Sequence, residues 1–64
     1  MNLGTMTLTI ETRPNDKGEQ RFVLDWRDQR GRPHVQDFLA NVEKHAARLR
    51  EHGWDVIVKE AIES

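Results

Sequence analysis

The chain has 64 residues, no cysteine and a formal net charge of −1, with ten Lys and Arg against eleven Asp and Glu. This length accommodates one domain with a small hydrophobic core, over residues 1–64, and we expect residues 1–4 to form a flexible tail. The composition excludes disulfides and thiolate metal sites, and it lacks the overall basic charge that nucleic-acid-binding domains usually carry.

The first two predicted elements are strands joined by a turn. Residues 5–12 read TMTLTIET, and residues 20–27 read QRFVLDWR; in both, apolar and polar residues alternate with a period of two. Between them, RPNDKGE is rich in the residues that favour turns. The pattern predicts a β-hairpin.

The next predicted element is a helix from Pro33 to His52. Its apolar residues recur three and four positions apart, which is the spacing of one helix face: Val35, Phe38, Leu39, Val42, Ala46 and Leu49. Pro33 suits the first turn of a helix, and Gly53 suits the left-handed position just after its end.

The last predicted element is a third strand, over residues 54–62, which read WDVIVKEAI. The order β-β-α-β predicts an α+β domain with a three-stranded, mostly antiparallel sheet and the helix on one face. Strand order 2-1-3 makes all neighbours antiparallel, whereas order 1-2-3 requires a parallel pair and ranks second.

One helix covers one face of such a sheet, and the strand alternation assigns the side chains of each face. The predicted core on the covered face comprises Met6, Leu8, Ile10, Phe22, Leu24, Trp26, Val35, Phe38, Leu39, Val42, Leu49, Trp54, Val56 and Val58. The other face carries Val23 and Ile57 among threonines and charged residues. These two aliphatic residues are typical either of a solvated strand or of a docking surface, and the sequence leaves both alternatives open.

We expect no catalytic function, cofactor or metal site. The chain has no tyrosine and its one serine is Ser64, so it lacks a nucleophile for Ser-His-Asp or Cys-His chemistry. No phosphate-binding glycine motif is present. His45 and His52 are two helical turns apart, about 10 Å, which is too far for one metal ion.

Nucleic-acid binding is the alternative that the arginines suggest. Arg21, Arg27 and Lys59 are predicted on the open face, and Arg30 and Arg32 in the following loop. Single-strand binders combine such cations with stacking aromatics on the same face, but here both tryptophans and both phenylalanines have the parity of the covered face. Phosphate contact through the loop remains open, whereas base recognition is not expected.

In size, near-neutral charge and β-β-α-β order, the chain resembles some very small phage-encoded inhibitors, among them anti-CRISPR proteins. The resemblance rests on no residue motif and carries over no functional residue.

We interpret the chain as a non-enzymatic, cytoplasmic protein-interaction module, an inhibitor or adaptor, which binds a protein partner through its open face, a strand edge or its charged helix. A homodimer is compatible with this interpretation, and no membrane contact is expected, because no apolar run approaches the roughly 20 residues that span a bilayer. The predicted contact residues are Arg21, Val23, Arg27, Arg30, Arg32, Ile57 and Lys59.

Overall fold

Four strands and one helix make up residues 2–62, the part of the chain that the computed structural model describes. The strands are β1 (Gly4–Ile10), β2 (Gln20–Arg27), β3 (Pro33–Ala40) and β4 (Trp54–Glu60), and the helix α1 (Val42–Glu51) lies between the last two. They form one sheet in the order β3-β2-β1-β4. The domain is therefore α+β, as predicted, with one helix and one sheet. Before β1, the Leu3 N–H donates a hydrogen bond to the Gly53 carbonyl.

The predicted helix from Pro33 to His52 is wrong in its first half. Residues Pro33–Ala40 form a strand that pairs antiparallel with β2, and the helix begins only at Val42. Its N-cap is Asn41, whose side chain accepts a hydrogen bond from the Lys44 N–H at 3.1 Å. The helix ends as predicted, since Gly53, which follows the C-cap His52, has φ of +104°.

The extra strand also changes the sheet that the sequence predicted. The predicted neighbours are correct, because β1 lies between β2 and the last strand. However, β3 reverses the chain once more, so β4 runs parallel to β1 instead of antiparallel to it. The three-stranded order 2-1-3 is therefore wrong, and the molecule has a mixed four-stranded sheet. The likeness to small phage-encoded inhibitors depended on a β-β-α-β order that the chain does not have.

The core lies between α1 and the middle of the sheet. Phe22 and Leu8 are fully buried, and Phe22 contacts the rings of Phe38 and His45, with centroids 5.5 and 5.2 Å away. Trp26, Phe38, Leu49 and Trp54 pack against this core without being fully buried. The buried residues are Met6, Leu8, Ile10, Phe22, Leu24, Val42, Ala46 and Val56.

Three residues predicted for the core are instead exposed. Val35 and Leu39 have 69% and 57% of their surface accessible, because in a strand they point to the opposite face from Phe38. Val58 has the parity of the covered face but lies on the edge strand β4, where α1 leaves 43% of it accessible.

Leu8→Ala and Leu39→Ala together test this assignment. Leu8→Ala should lower the free energy of unfolding by about 2–5 kcal/mol, because it leaves a cavity in the core. Leu39→Ala should change it by less than about 0.5 kcal/mol, because the side chain is on the surface. Urea denaturation followed by tryptophan fluorescence measures both changes. Comparable losses would contradict the assignment of Pro33–Ala40 to a strand.

His45 makes the stability of this core depend on pH. Burial against the phenylalanines, and secondarily the charge of Arg48, lowers the pKa of His45 below its ordinary value. A neutral His45 is thus favoured in the folded state. Its contribution is complete above the unfolded pKa of about 6.5 and is lost as the pH falls through the lower folded pKa.

Unfolding titrations in urea between about pH 8 and pH 5 should therefore show falling stability below about pH 6.5. His45→Gln should flatten this part of the profile. His52→Gln, a change at an exposed position just past the helix, should leave the profile as it is. A profile that keeps its slope in His45→Gln would mean that another group causes it.

Candidate interaction surface

The face of the sheet opposite α1 carries three neighbouring aliphatic side chains. Val23 on β2 is paired with Asp37 on β3, so its diagonal neighbours on β3 are Val35 and Leu39. Diagonal neighbours on one sheet face are within reach of each other's side chains. We call Val23, Val35 and Leu39 the apolar patch. Of these three residues, the sequence pattern places only Val23 on this face.

Ile57, the other aliphatic residue predicted there, lies on the open face but apart from the patch. It is 44% accessible and is paired with Thr7 on β1, which is paired in turn with Asp25 on β2. Two strand spacings, about 10 Å, therefore separate Ile57 from β2. Thr7 and Thr9 of β1 occupy the space between.

Charged residues of both signs share the open face with the apolar patch. Arg21, Arg27 and Lys59 lie on this face by register, and so do Asp25, Asp37 and Asp55. The Arg21 Nε lies 4.0 Å from an oxygen of Asp37, with both side chains largely exposed. Such a pair contributes little to stability because water and salt screen it. The face as a whole is close to neutral.

The register disperses the predicted cations. Arg21 and Arg27 are six residues apart on β2, which is about 20 Å along a strand. Lys59 lies on β4, at the far edge of the sheet. The Arg27 guanidinium turns back and donates to the Gly31 carbonyl at 2.9 Å.

Arg30 and Arg32 belong to the tight turn between β2 and β3. The Asp28 N–H donates to the Arg32 carbonyl, and the Gly31 N–H donates to the Asp28 carbonyl, at 3.0 and 2.9 Å. Gly31 has φ of +78°, a value that glycine adopts without strain. This is the three-residue hairpin turn that ends in a glycine bulge. Within residues 2–62, the five predicted cations thus do not form one patch. Nucleic-acid binding stays a prediction, and the cations proposed for it are dispersed over the surface.

The Asp28 carboxylate holds this turn together. One oxygen accepts the backbone N–H groups of Arg30 and Arg32 at 2.8 and 2.9 Å, and the other is 2.9 Å from the His34 Nε2. These hydrogen bonds, the one to His34 first, lower the pKa of Asp28 below its ordinary value. The imidazole of His34 in turn stacks on Trp26, with ring centroids 5.3 Å apart.

The turn between β1 and β2 uses the same chemistry. Asn15 takes the place of Asp28, and its side-chain oxygen accepts the N–H groups of Lys17 and Glu19, both at 2.9 Å. Gly18, with φ of +76°, takes the place of Gly31. The two segments read NDKGE and DQRGR, an Asx residue three positions before a glycine. This repeated signature was the signal that could have revealed β3 from the sequence.

A concavity of about 620 Å³ lies on the open face beside the second turn. Thr5, Thr7, Asp25 and Arg27 are among its lining residues. Its two carboxylates are those of Asp25 and Asp28, and Asp28 already accepts hydrogen bonds on both oxygens. The arrangement thus offers an incoming group one carboxylate beside hydroxyls and a cation, which suits polar contact.

Two further observations bear on the kind of site. No three residues among His, Asp and Glu come together as metal ligands within the described part of the chain. Over the same residues, the only helix is ten residues long, too short and too polar to cross a bilayer. Comparison with family models, with curated proteins and with solved structures finds no match to this chain.

Asp28→Ala and Asp28→Asn separate the two roles of this carboxylate. Asp28→Ala should lower the urea midpoint, because the turn loses its acceptor for two N–H groups. Asp28→Asn should retain most of the stability at neutral pH, because the amide oxygen can accept the same bonds, as that of Asn15 does. The lowered pKa means that the charge of Asp28 stabilises the fold above the ordinary carboxyl range, and that this contribution is lost as the pH falls through the folded pKa. Asp28→Asn should remove that acid-side loss, and Asp16→Asn serves as the control.

Equal midpoints for Asp28→Ala and wild type in urea denaturation would show that the turn does not depend on this side chain.

Proposed function

We propose that the protein is a non-enzymatic interaction module that binds a protein partner through its open sheet face, centred on the apolar patch. The observation that supports this most directly is the grouping of Val23, Val35 and Leu39. Scattered apolar residues are ordinary on a protein surface, but contiguous ones in a polar rim are typical of contact sites. Two of the three expose more than half of their surface.

The surroundings of the patch suit a protein surface better than a nucleic acid. Its rim carries Arg21 and Asp37 side by side and Asp25 opposite Val35. The phosphates of a nucleic acid would approach these carboxylates as well as the cations, and the repulsion between the negative charges opposes binding. A protein partner with an apolar centre and a rim of mixed charge would match both features. The inhibitor or adaptor role is one form of this proposal.

The apolar patch is the part of the open face that a binding experiment should test. Wild-type protein, immobilised through its N-terminus, should capture a partner from an extract of the source cells. Val23→Asp combined with Leu39→Asp should abolish capture, because the contact would have to bury two new charges in the apolar patch. The matched control, Ala47→Asp combined with Lys44→Gln, makes the same change in net charge at exposed positions of α1 and should retain capture.

Circular dichroism should first establish that both double variants are folded. The proposal fails if the open-face variant still captures the same protein, or if the control loses it as well. Mass spectrometry of the captured protein names the partner.

A further inference from the structure

The outer edge of β3 exposes a row of backbone groups. The Asp28 N–H bonds to the Arg32 carbonyl, so these two residues form a hydrogen-bonded pair, and such pairs alternate along an antiparallel ladder. His34, Gln36 and Phe38 consequently face β2 with their N–H and C=O groups. The backbone N–H and C=O groups of the alternate residues point outward, away from β2: Val35, Asp37 and Leu39. Within residues 2–62, no side chain and no other segment forms a hydrogen bond with these outward groups.

The other edge of the sheet is different. Just after β4, the Ala61 N–H donates to the Ile10 carbonyl, so the alternate residues Val56 and Val58 of β4 carry the outward backbone groups. The Val56 carbonyl already accepts a hydrogen bond from the Arg50 guanidinium at 3.1 Å, in partly buried surroundings. A side chain of α1 therefore occupies the middle of this edge. Blocking of this kind is how proteins prevent an edge strand from pairing with another chain.

We propose that β3 pairs antiparallel with β3 of a second copy, about a twofold axis at Gln36. The two four-stranded sheets then become one continuous sheet of eight strands. Val35 of each chain lies opposite Asp37 of the other, and Pro33 lies opposite Leu39. The inference goes beyond the proposed function, because it concerns the strand edge and holds whether or not the open face binds another protein.

The side chains favour this register over the next one. An axis at Asp37 would bring the two Asp37 carboxylates directly opposite each other, and like charges in that position are unfavourable. An axis at Gln36 instead brings together two amides, each with a donor and an acceptor, which can bond reciprocally. Pro33 has no N–H, but it falls at the end of the ladder, so one hydrogen bond is lost at each of the two ends.

The aromatic rows of the covered face also continue across this axis. His34 stacks on Trp26 and Phe38 stacks on Phe22, with centroids 5.3 and 5.5 Å apart and both interplanar angles 14°. In the proposed register, His34 of one chain lies opposite Phe38 of the other, at a position where no backbone bonds intervene and side chains come closest. Two two-ring stacks thereby join into a row of four rings, and the twofold axis generates a second row.

Cysteine crosslinking tests the register directly, because the natural chain contains no cysteine. Gln36→Cys places two thiols across the axis at a Cα separation of about 4.5 Å, which lies within the range of a disulfide. Under mild oxidation it should form a covalent dimer rapidly. The control Lys44→Cys, at an exposed position of α1, should form it slowly. Equal rates would overturn the proposal, and faster crosslinking of Asp37→Cys would overturn the register.

Removal of a single edge N–H tests the pairing without a crosslink. Asp37→Pro deletes an outward N–H and keeps the inward ladder to β2, and proline is tolerated at such edge positions. Asp37→Ala removes the same side chain but retains the N–H. By sedimentation equilibrium up to about 1 mM, the dimer dissociation constant should rise at least about tenfold in Asp37→Pro relative to Asp37→Ala.

A wild-type protein that stays monomeric over this concentration range, or equal constants for the two variants, would overturn the proposal. Circular dichroism confirms that Asp37→Pro is folded. A failed dimer leaves the open-face capture experiment unaffected, so the two proposals can fail separately.

Discussion

The hydrogen bonds of the Asp28 carboxylate lie in the turn that determines where β3 begins and on which face its side chains lie. By accepting two backbone N–H groups, this carboxylate turns the chain back at the end of β2 and places Pro33 opposite Arg27. The strand that follows then continues in register until Phe38 stacks on Phe22. Without this turn, residues 33–40 would have no fixed partner, and neither the apolar patch nor the free sheet edge would exist.

The sequence was sufficient for the elements that alternate clearly. Both strands of the first hairpin, the last strand, the end of the helix and most of the core follow from periodicity, because one periodicity fits each of them. Residues 33–40 fit two periodicities, that of a helix and that of a strand. Val35, Phe38 and Leu39 have helical spacing, and the same residues also divide between the two faces of a strand. Local pattern cannot resolve that ambiguity, whereas the pairing with β2 does, and the Asp28–Gly31 turn is its only local sign.

The prediction of a helix for residues 33–40 also led to a wrong description of the surface. Val35 and Leu39 were assigned to the core, so Val23 looked like an isolated apolar residue on a polar face. Strand alternation groups Arg21, Arg27 and Lys59 on one face, yet Arg27 bends back onto its own turn and Arg21 lies at the other end of β2. Pairing between strands separates some residues that are near in sequence and brings together others that are distant. Which surface residues are neighbours therefore follows from the strand register and not from the local pattern.

The hydrogen bond from Arg50 to Val56 has a consequence for the size of any assembly. A sheet that is open at both edges can add copies without limit and grow into a fibre. With β4 blocked at the Val56 carbonyl and β3 free, each chain would pair through β3 alone, and one twofold contact would use that edge completely. Growth would end at two chains, so one guanidinium on a short helix can determine whether edge pairing is finite or leads to aggregation.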